Sequence, residues 1–304
     1  MPVKEFLGRA VRKVKIFARS ETDFLLVFNW HQVTPEFEPA RHGKYTWTRL
    51  ADFERELDYL QSEYEMIPLE EALRKLERGR FGGRWVALTF DDGDASMAEF
   101  VLPVLQKRGL PATLFINTAY LSSERCYWFP ILSYLIAGNK PVAGVGTPTE
   151  FEQWMVKLRS TDDPQTYNAL RNKVEALASM VPDLRSRHVS RTRLQSLDGE
   201  QFSIGAHGHE HQRFSMMPPE WQRRDLQDNV RQLYEYKAFR PMFAVPFGKR
   251  GDWTTETLRI AHQQKLCVVL AEGGVNCTAA DYYHRIPADG GRLHRLIEQA
   301  MAAV

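Results

Sequence analysis

Two short clusters of residues in this chain carry side chains that could perform hydrolysis. Asp91 and Asp92 are adjacent and follow an apolar run that ends at Phe90. His207 and His211 are four residues apart and follow a second apolar run. One carboxylate and two imidazoles form a ligand set for a divalent metal ion, and the second carboxylate is then available as a general base. These residue types therefore predict metal-assisted hydrolysis.

Three motifs in the same order resemble the polysaccharide deacetylase family, the carbohydrate esterases that share the NodB homology domain. They are T-F-D-D-G at residues 89–93, H-x-x-x-H at residues 207–211 and a Pro-aromatic-Gly motif within residues 243–248. The sequence N-W-H-Q-V at residues 29–33 is also similar to one subgroup of the family. The resemblance covers most of residues 24–290.

The resemblance implies roles for the two clusters. Asp91 corresponds to the catalytic base, whereas Asp92, His207 and His211 correspond to ligands of one divalent metal ion. Zinc is the default ion, and cobalt, nickel or manganese would also suit these ligands. Neighbouring side chains on an extended segment point to opposite sides, which would separate the two carboxylates. Spacing alone leaves His209 open as a further ligand.

The loop after a later predicted strand corresponds to the acetyl pocket of the family. Pro246, Phe247 and Gly248 match this loop, and the Phe247 backbone N–H is implied to help hold the oxyanion. Many relatives carry an arginine, which orients the catalytic carboxylate, where this chain has Ala244. Arg285 is the candidate replacement, because an arginine beside the catalytic carboxylate would hold it ionised. The alternative is a surface salt bridge.

Two other departures from the family concern supporting residues. Gly208 stands where relatives usually have Ser or Thr, so a hydroxyl that would brace the loop is missing. The late L-x-x-H motif, which supplies the general acid, has no clear match after Leu270. His31 is the candidate acid because it follows the first predicted strand and because histidine has an ordinary pKa of about 6.5. The alternatives are that His31 only hydrogen-bonds a loop, or that His284 is the acid.

The elements that must position these residues alternate between strands and helices, which predicts an α/β fold with a parallel sheet. The resemblance implies a distorted TIM-like (β/α)7 barrel, although an open doubly wound sheet fits the pattern equally well. The candidate residues follow predicted strands, and the active site of an α/β barrel lies at that end. The predicted strands are 24–28, 85–90, 112–116, 201–205, 242–245 and 266–270, and the predicted helices include 50–62, 69–78, 219–238 and 254–265.

The domain organisation predicted from the sequence is a basic N-terminal helix at residues 1–20 followed by a barrel at 21–304. Polar helical segments at about 123–195 predict a helical insertion into the barrel. The N-terminal segment lacks the apolar core of a signal peptide, and no run of 18 apolar residues occurs, so we expect a cytoplasmic protein. The basic helix either packs on the domain or contacts the inner membrane peripherally.

The sequence thus predicts a metal-dependent N-deacetylase that acts on an N-acetylated sugar or polysaccharide intermediate in cell-surface glycan biosynthesis. A net charge of +2 and the absence of a basic recognition motif argue against nucleic acid as a partner. An iron oxygenase is disfavoured because none of the nine histidines is followed two places on by Asp or Glu. Alternatives are an O-deacetylase, an amidohydrolase of another small amide, and an inactive glycan-binding homologue.

Overall fold

The computed structural model describes residues 23–38, 46–79, 82–121, 126–181, 188–290 and 292–302. The predicted basic helix at residues 1–20 lies outside the described residues. Among the helices that are described, none is both long and apolar enough to cross a bilayer.

A sheet of parallel strands forms the centre of the molecule. The strands are β1 (Phe24–Trp30), β2 (Gln32–Thr34), β3 (Trp47–Arg49), β4 (Glu65–Met66), β5 (Arg84–Phe90), β6 (Ala112–Ile116), β7 (Phe202–Ala206), β8 (Phe239–Ala244), β9 (Cys267–Leu270), β10 (Tyr283–His284) and β11 (Ile286–Pro287). In the sheet they run in the order β10-β9-β8-β7-β6-β5-β1-β11, and β4 pairs with Trp85 and Val86 near the start of β5. A separate two-stranded sheet joins β2 to β3.

The sheet closes on itself through one short segment of chain. β10 pairs with β9 and β11 pairs with β1, and only Arg285 separates β10 from β11. Six parallel strands and this interrupted seventh strand therefore form the predicted distorted (β/α)7 barrel, and an open doubly wound sheet is excluded. Every residue of β1 is buried, as expected for a strand that faces the barrel interior on one side and helices on the other.

The helices cover the outside of the barrel and bury apolar stripes. In α1 (Leu50–Glu63), for example, Phe53, Leu57 and Leu60 recur at helical spacing and are fully buried. The helix predicted at 219–238 is shorter, since it ends at Leu233. The helices are α1 (Leu50–Glu63), α2 (Leu69–Glu77), α3 (Leu102–Arg108, preceded by a π-helical turn at Met97–Val101), α4 (Trp128–Ala137), α5 (Pro148–Ser160), α6 (Pro164–Glu175), α7 (Arg191–Gln195), α8 (Pro219–Leu233), α9 (Thr255–Gln263) and α10 (Leu293–Ala302).

Helices α4 to α7 fall within the predicted insertion. An apolar cluster built mainly from α4, α5 and α6 also contains Met216 and Phe247, which belong to loops after barrel strands. Arg171 of α6 is buried and binds Glu210, which lies in the loop after β7. The segment of the predicted insertion is therefore anchored at the carboxyl end of the barrel, beside the candidate residues.

Candidate active site

The carboxyl ends of the barrel strands bring the two candidate clusters together. Asp91 and Asp92 follow β5, whereas His207 and His211 follow β7. All four residues are buried, with exposed fractions of 8% or less. Their convergence follows from the parallel direction of the strands, because residues after strand carboxyl ends meet at one end of a barrel.

Asp92, His207 and His211 form a compact group of three metal-ligand atoms that lie within 4.8 Å of one another. Asp92 Oδ1 is 3.4 Å from His207 Nε2 and 3.0 Å from His211 Nε2. Among the described residues this group has the composition and the compactness of a site for one divalent ion. The three residues that the sequence predicted as ligands are therefore brought together.

The hydrogen bonds around His207 indicate that the group fits a cation. His207 Nδ1 lies 2.7 Å from the carbonyl oxygen of Ala244, so Nδ1 must carry the proton and donate it. In the neutral ring, Nε2 is then an acceptor that faces Asp92 Oδ1, which is also an acceptor. Two acceptors at this distance repel each other unless a proton or a metal ion lies between them, and a backbone carbonyl that fixes the tautomer is the usual support of a metal-binding histidine.

The ionisation of the group also suits a metal. Burial would raise the pKa of Asp92, but His211 and His207 hold it well below its ordinary value. Burial lowers the pKa of His211 despite the neighbouring Asp92. A deprotonated carboxylate and neutral imidazoles are the forms that bind metal ions.

His209, which the spacing left open as a ligand, points away from this group. Its Nδ1 lies 2.9 Å from Thr118 Oγ1 and 3.4 Å from Gln232 Nε2. The metal group therefore contains only the outer histidines of the H-x-H-x-H segment.

The loop between the two ligand histidines is braced by side chains from outside the loop. Asp225 of α8 accepts hydrogen bonds from the His209 and Glu210 N–H groups at 2.8 and 2.9 Å. Asn229, one turn further along α8, accepts the His207 N–H at 3.1 Å. A Cβ at Gly208 would lie 2.8 Å from Asp225 Oδ1, so this carboxylate occupies the space next to the glycine. Side chains of α8 therefore supply the hydrogen bonds to this loop that a Ser or Thr at position 208 would have supplied.

Left-handed backbone conformations occur at three non-glycine residues of the site. Asp92, His211 and Phe247 have φ values of 69°, 49° and 62°. Asp91 and Asp92 are expected from the sequence to diverge because their segment is extended, and this reason is wrong, because the chain turns at Asp92. Such conformations are unfavourable for non-glycine residues and concentrate at functional sites.

Arg285 makes a buried two-pronged ion pair with Asp91. The guanidinium Nη1 and Nη2 lie 2.6 and 2.9 Å from the two carboxylate oxygens, and Arg285 is fully buried. Burial would raise the pKa of Asp91, but Arg285, together with His207 and His31, holds the pKa below its ordinary value. Arg285 reaches the carboxylate because it interrupts the seventh strand of the barrel. The alternative of a surface salt bridge is therefore excluded.

His31 lies beside Asp91 and is held by a second carboxylate, that of Asp289. His31 Nδ1 is 2.6 Å from Asp289 Oδ2, and the His31 backbone N–H donates to Asp289 Oδ1 at 3.0 Å. The other ring nitrogen, Nε2, is 4.0 Å from Asp91 Oδ2. Burial lowers the pKa of His31, but Asp289, with smaller contributions from Asp92 and Asp91, raises the pKa to about 10. His31 therefore carries a proton at neutral pH and presents it toward Asp91. The fallback residue, His284, packs against Tyr282 instead.

The loop of Pro246, Phe247 and Gly248 presents a free backbone donor. Gly248 N–H donates to the Pro246 carbonyl at 2.8 Å, and this tight turn leaves the Phe247 N–H without an acceptor among the described residues. The Phe247 ring packs edge-on against His211, with 4.8 Å between ring centroids. The loop thus places an unpaired N–H beside a predicted metal ligand.

A small cleft opens in front of these residues. It is lined by His31, Gln32, Asp92 and Asp94, and by Tyr127, Phe129 and His188 of the predicted insertion. The Tyr127 hydroxyl donates to the Asp92 carbonyl at 2.7 Å and so ties the insertion to the metal group.

Sequence reasoning missed several of these residues. Asp289 follows β11 as Asp91 follows β5, so the rule that strand carboxyl ends carry the active site could have found it. Gln222, Asp225 and Asn229 form a polar stripe at helical spacing among the buried positions of α8. Polar residues on the buried face of a helix need partners, and this signal could have identified them as a brace.

Comparison with known proteins is consistent with this geometry. A family model described as polysaccharide deacetylase matches residues 78–269. Among curated proteins, the poly-beta-1,6-N-acetyl-D-glucosamine N-deacetylase of Staphylococcus aureus is 28% identical over 118 residues, which are 36% of this chain and 41% of the relative. The aligned part of this chain therefore spans about two fifths of the length of that relative.

Solved structures share the fold at low sequence identity. The Streptococcus pyogenes deacetylase PplD in complex with acetate is 16% identical, has a TM-score of 0.60 and covers 92% of this chain and 99% of its own. IcaB from Ammonifex degensii is 18% identical, has a TM-score of 0.54 and covers 92% of this chain and 97% of its own. At these identities the likeness concerns the arrangement of the barrel.

Proposed function

This chain belongs to the polysaccharide deacetylase family, hydrolases that act on N-acetyl groups, and on that premise we propose that it is a metal-dependent N-deacetylase of an N-acetylated glycan. The observation that carries the proposal is the juxtaposition of the metal group with Asp91, which Arg285 keeps ionised. An inactive glycan-binding homologue would have no need of a buried, ionised carboxylate in this position.

Asp92, His207 and His211 would hold the metal ion, for which zinc is the default. When bound, a divalent ion supplies two kinds of chemistry, since it polarises a carbonyl group and lowers the pKa of a water molecule. The chain supplies the fixed ligands and the His207 tautomer, through the Ala244 carbonyl.

Asp91 is the proposed general base. Its Oδ2 atom lies 4.0 Å from both His31 Nε2 and His207 Nε2, so it faces the space between the metal group and the proposed acid. A carboxylate in this place can accept a proton from the attacking water. Arg285 keeps the carboxylate charged and fixes both of its oxygens, so the base is available throughout the neutral pH range.

The Phe247 N–H and His31 would complete the reaction. The backbone N–H has no acceptor among the described residues and is the proposed donor to the oxyanion of the tetrahedral intermediate. The leaving amine requires a proton, because an amide anion is a poor leaving group. His31 carries that proton at Nε2, on the side opposite Asp289.

The substrate is proposed to be an N-acetylhexosamine polymer of the cell surface or its biosynthetic intermediate, since the Staphylococcus aureus relative is named for such a polymer. Cytoplasmic or peripheral inner-membrane location stays a prediction that cell fractionation would test. A de-O-acetylase would use the same residues, so paired N-acetyl and O-acetyl oligomers distinguish the two reactions.

Acetate release from N-acetylglucosamine oligomers tests the proposal. We expect activity that disappears after chelation and returns with zinc or another divalent ion. Asp91→Asn is expected to lose at least ~10²-fold in turnover, the contribution of a general base. Binding of zinc, measured by calorimetry, should persist in this variant and decrease in Asp92→Asn. Full acetate release by the metal-free protein would contradict the proposal.

A further inference from the structure

Asp94 places a third carboxylate in the cleft, outside the metal group and outside the Asp91–Arg285 pair. It lies two residues after Asp92, and its side chain is half-buried and lines the cleft together with His31 and Gln32. Two hydrogen bonds hold it there. Gln32 Nε2 donates to Oδ2 at 3.1 Å, and the Ser96 backbone N–H donates to Oδ1 at 2.9 Å. The carboxylate is thus fixed in position at the wall of the cleft.

The carboxylate of Asp94, which lines the cleft, still has acceptor capacity. A carboxylate offers about four acceptor positions, and the described residues use one on each oxygen. Each oxygen therefore has a further position for a donor. A ligand that satisfies them must present O–H or N–H groups, because an ionised carboxylate cannot donate a hydrogen bond.

The surroundings of Asp94 indicate which donors these are. Phe129 and Tyr127 of the insertion line the same cleft, and their rings are stacked at 5.0 Å. A cleft lined by aromatic rings and by a fixed acceptor suits a pyranose ring, which has apolar C–H faces and a rim of hydroxyl groups. The reacting acetyl group itself has its own partners, in the metal group and the Phe247 N–H.

We propose that Asp94 is a specificity residue that accepts hydrogen bonds from ring hydroxyl groups of the sugar whose acetyl group is removed. This inference rests on the proposed function and deepens it, because it makes the sugar ring, and not only the acetyl group, a requirement of the site. A site built to bond a substrate hydroxyl discriminates strongly against an analogue that lacks it, since the buried polar group is left unpaired.

Asp198 provides a matched control for the local role of Asp94. It makes the same kind of turn, in which its Oδ1 atom accepts the backbone N–H two residues later, that of Glu200, at 2.8 Å. Asp198 is exposed and does not line the cleft. Changes at Asp198 therefore report the loss of such a turn without the loss of an acceptor in the cleft.

The test compares wild type with Asp94→Ala, Asp94→Asn and Asp198→Ala, as full-length metal-loaded proteins. The substrates are an N-acetylglucosamine oligomer, its analogues that lack one ring hydroxyl each, and 4-nitrophenyl acetate, which has no sugar. Asp94→Asn retains an oxygen for the Ser96 N–H, so it keeps the turn if Asp94→Ala does not fold. Thermal unfolding and metal content are measured for every variant.

We expect Asp94→Ala to lose about 10- to 100-fold in kcat/KM on the oligomer, the range for a hydrogen bond to a charged group. The loss on 4-nitrophenyl acetate is expected to be less than about twofold, within the range of surface substitutions. With the analogue that lacks the contacted hydroxyl, wild type and Asp94→Ala should have equal kcat/KM. Metal content should be unchanged, and Asp198→Ala should resemble wild type.

An equal loss on the oligomer and on 4-nitrophenyl acetate would overturn the inference, as would an additive loss with every deoxy analogue. Undiminished turnover of the oligomer by both Asp94 variants would overturn it as well, and would leave the proposed function intact. A wild-type protein that hydrolyses 4-nitrophenyl acetate but no N-acetyl or O-acetyl sugar would overturn the proposed function together with the inference.

Discussion

Arg285 at the carboxyl end of the barrel and Arg240 at the amino end each bind a carboxylate, but the two pairs differ in burial. Arg285 and Asp91 have exposed side-chain fractions of 0% and 4%. Arg240 and Glu70, whose nearest atoms are 2.9 Å apart, have fractions of 25% and 30%. Because water screens the second pair, it contributes little to stability, whereas the first pair controls whether Asp91 is charged.

The two pairs show that only the buried charges at the carboxyl end of the barrel can control the ionisation of a catalytic group. At the carboxyl end, burial makes each charge dependent on its partner, so a partner can determine the ionisation of a catalytic group. The pair of His31 and Asp289 is intermediate, with exposed fractions of 22% and 5%. Three substitutions, one in each pair, should therefore have effects that decrease with exposure.

The largest effect is expected for Arg285→Met, which leaves the Asp91 carboxylate buried without its partner. Breaking a buried pair in this way costs about 3–5 kcal/mol in the free energy of unfolding. The pKa of Asp91 should rise, because Arg285 then no longer opposes the effect of burial, and the acid limb of the activity profile should move to higher pH. Urea unfolding and a pH–rate profile measure the two effects. The double variant Asp91→Asn/Arg285→Met should recover stability but not activity, and a double variant as unstable as Arg285→Met would contradict this reasoning.

An intermediate and pH-dependent effect is expected for Asp289→Asn. The folded-state pKa of His31 is raised from 6.5 to about 10, so the stabilisation by this pair is fully present below pH 6.5 and is lost as the pH rises through about 10. A hydrogen bond between charged groups contributes about 1.5–3 kcal/mol. Unfolding free energies of wild type and Asp289→Asn should therefore differ by this amount at pH 6.5 and converge toward pH 10.

The same variant should also shift the alkaline limb of activity. Without Asp289, His31 loses its proton at lower pH, so turnover should decline earlier as the pH rises. His31→Gln provides the control, because its stability difference from wild type carries the same pH dependence but its activity has no proton donor to titrate. An unchanged alkaline limb in Asp289→Asn would remove His31 from the role of general acid.

The smallest effect is expected for Glu70→Gln at the amino end of the barrel. The substitution removes the ion pair with Arg240 but leaves the guanidinium bonded to the carbonyl groups of Gly199, Lys237 and Phe239. An exposed pair contributes at most about 1 kcal/mol, and less in high salt. Thermal unfolding in low and high salt measures this, and acetate release should not change. A loss of stability comparable to that of Arg285→Met would contradict the expectation that the effect decreases with exposure.

The sequence predicted the parts of the site that local patterns carry. The apolar run of β5 ends at Phe90, and the Asp-Asp-Gly that follows can only lie at a strand end. His207 and His211 are only four residues apart, so both lie in one loop. The (β/α)7 barrel was predicted through resemblance, since periodicity alone does not distinguish a closed barrel from an open sheet. Closure depends on the pairing of β11 with β1, which joins distant ends of the chain.

The sequence did not predict the partners that complete the charged groups. Asp289 is 258 residues from His31, and Asp225 lies on a helix that carries no motif. Arg285 was a candidate only because an expected arginine was missing at Ala244. Such pairs form between side chains that meet only across the folded barrel, and the spacing of residues in the sequence does not predict which ones meet.

The sequence by itself determined the reactive side chains, the order of strands and helices, and the end of each strand at which the chemistry occurs. The tertiary structure alone decided which charges meet, which tautomer His207 adopts, and which residues face the cleft. The physical reason is the separation along the chain of the residues that interact. Strand and helix formation depends on residues a few positions apart, whereas ionisation and tautomer depend on burial and on contacts made only when the barrel closes.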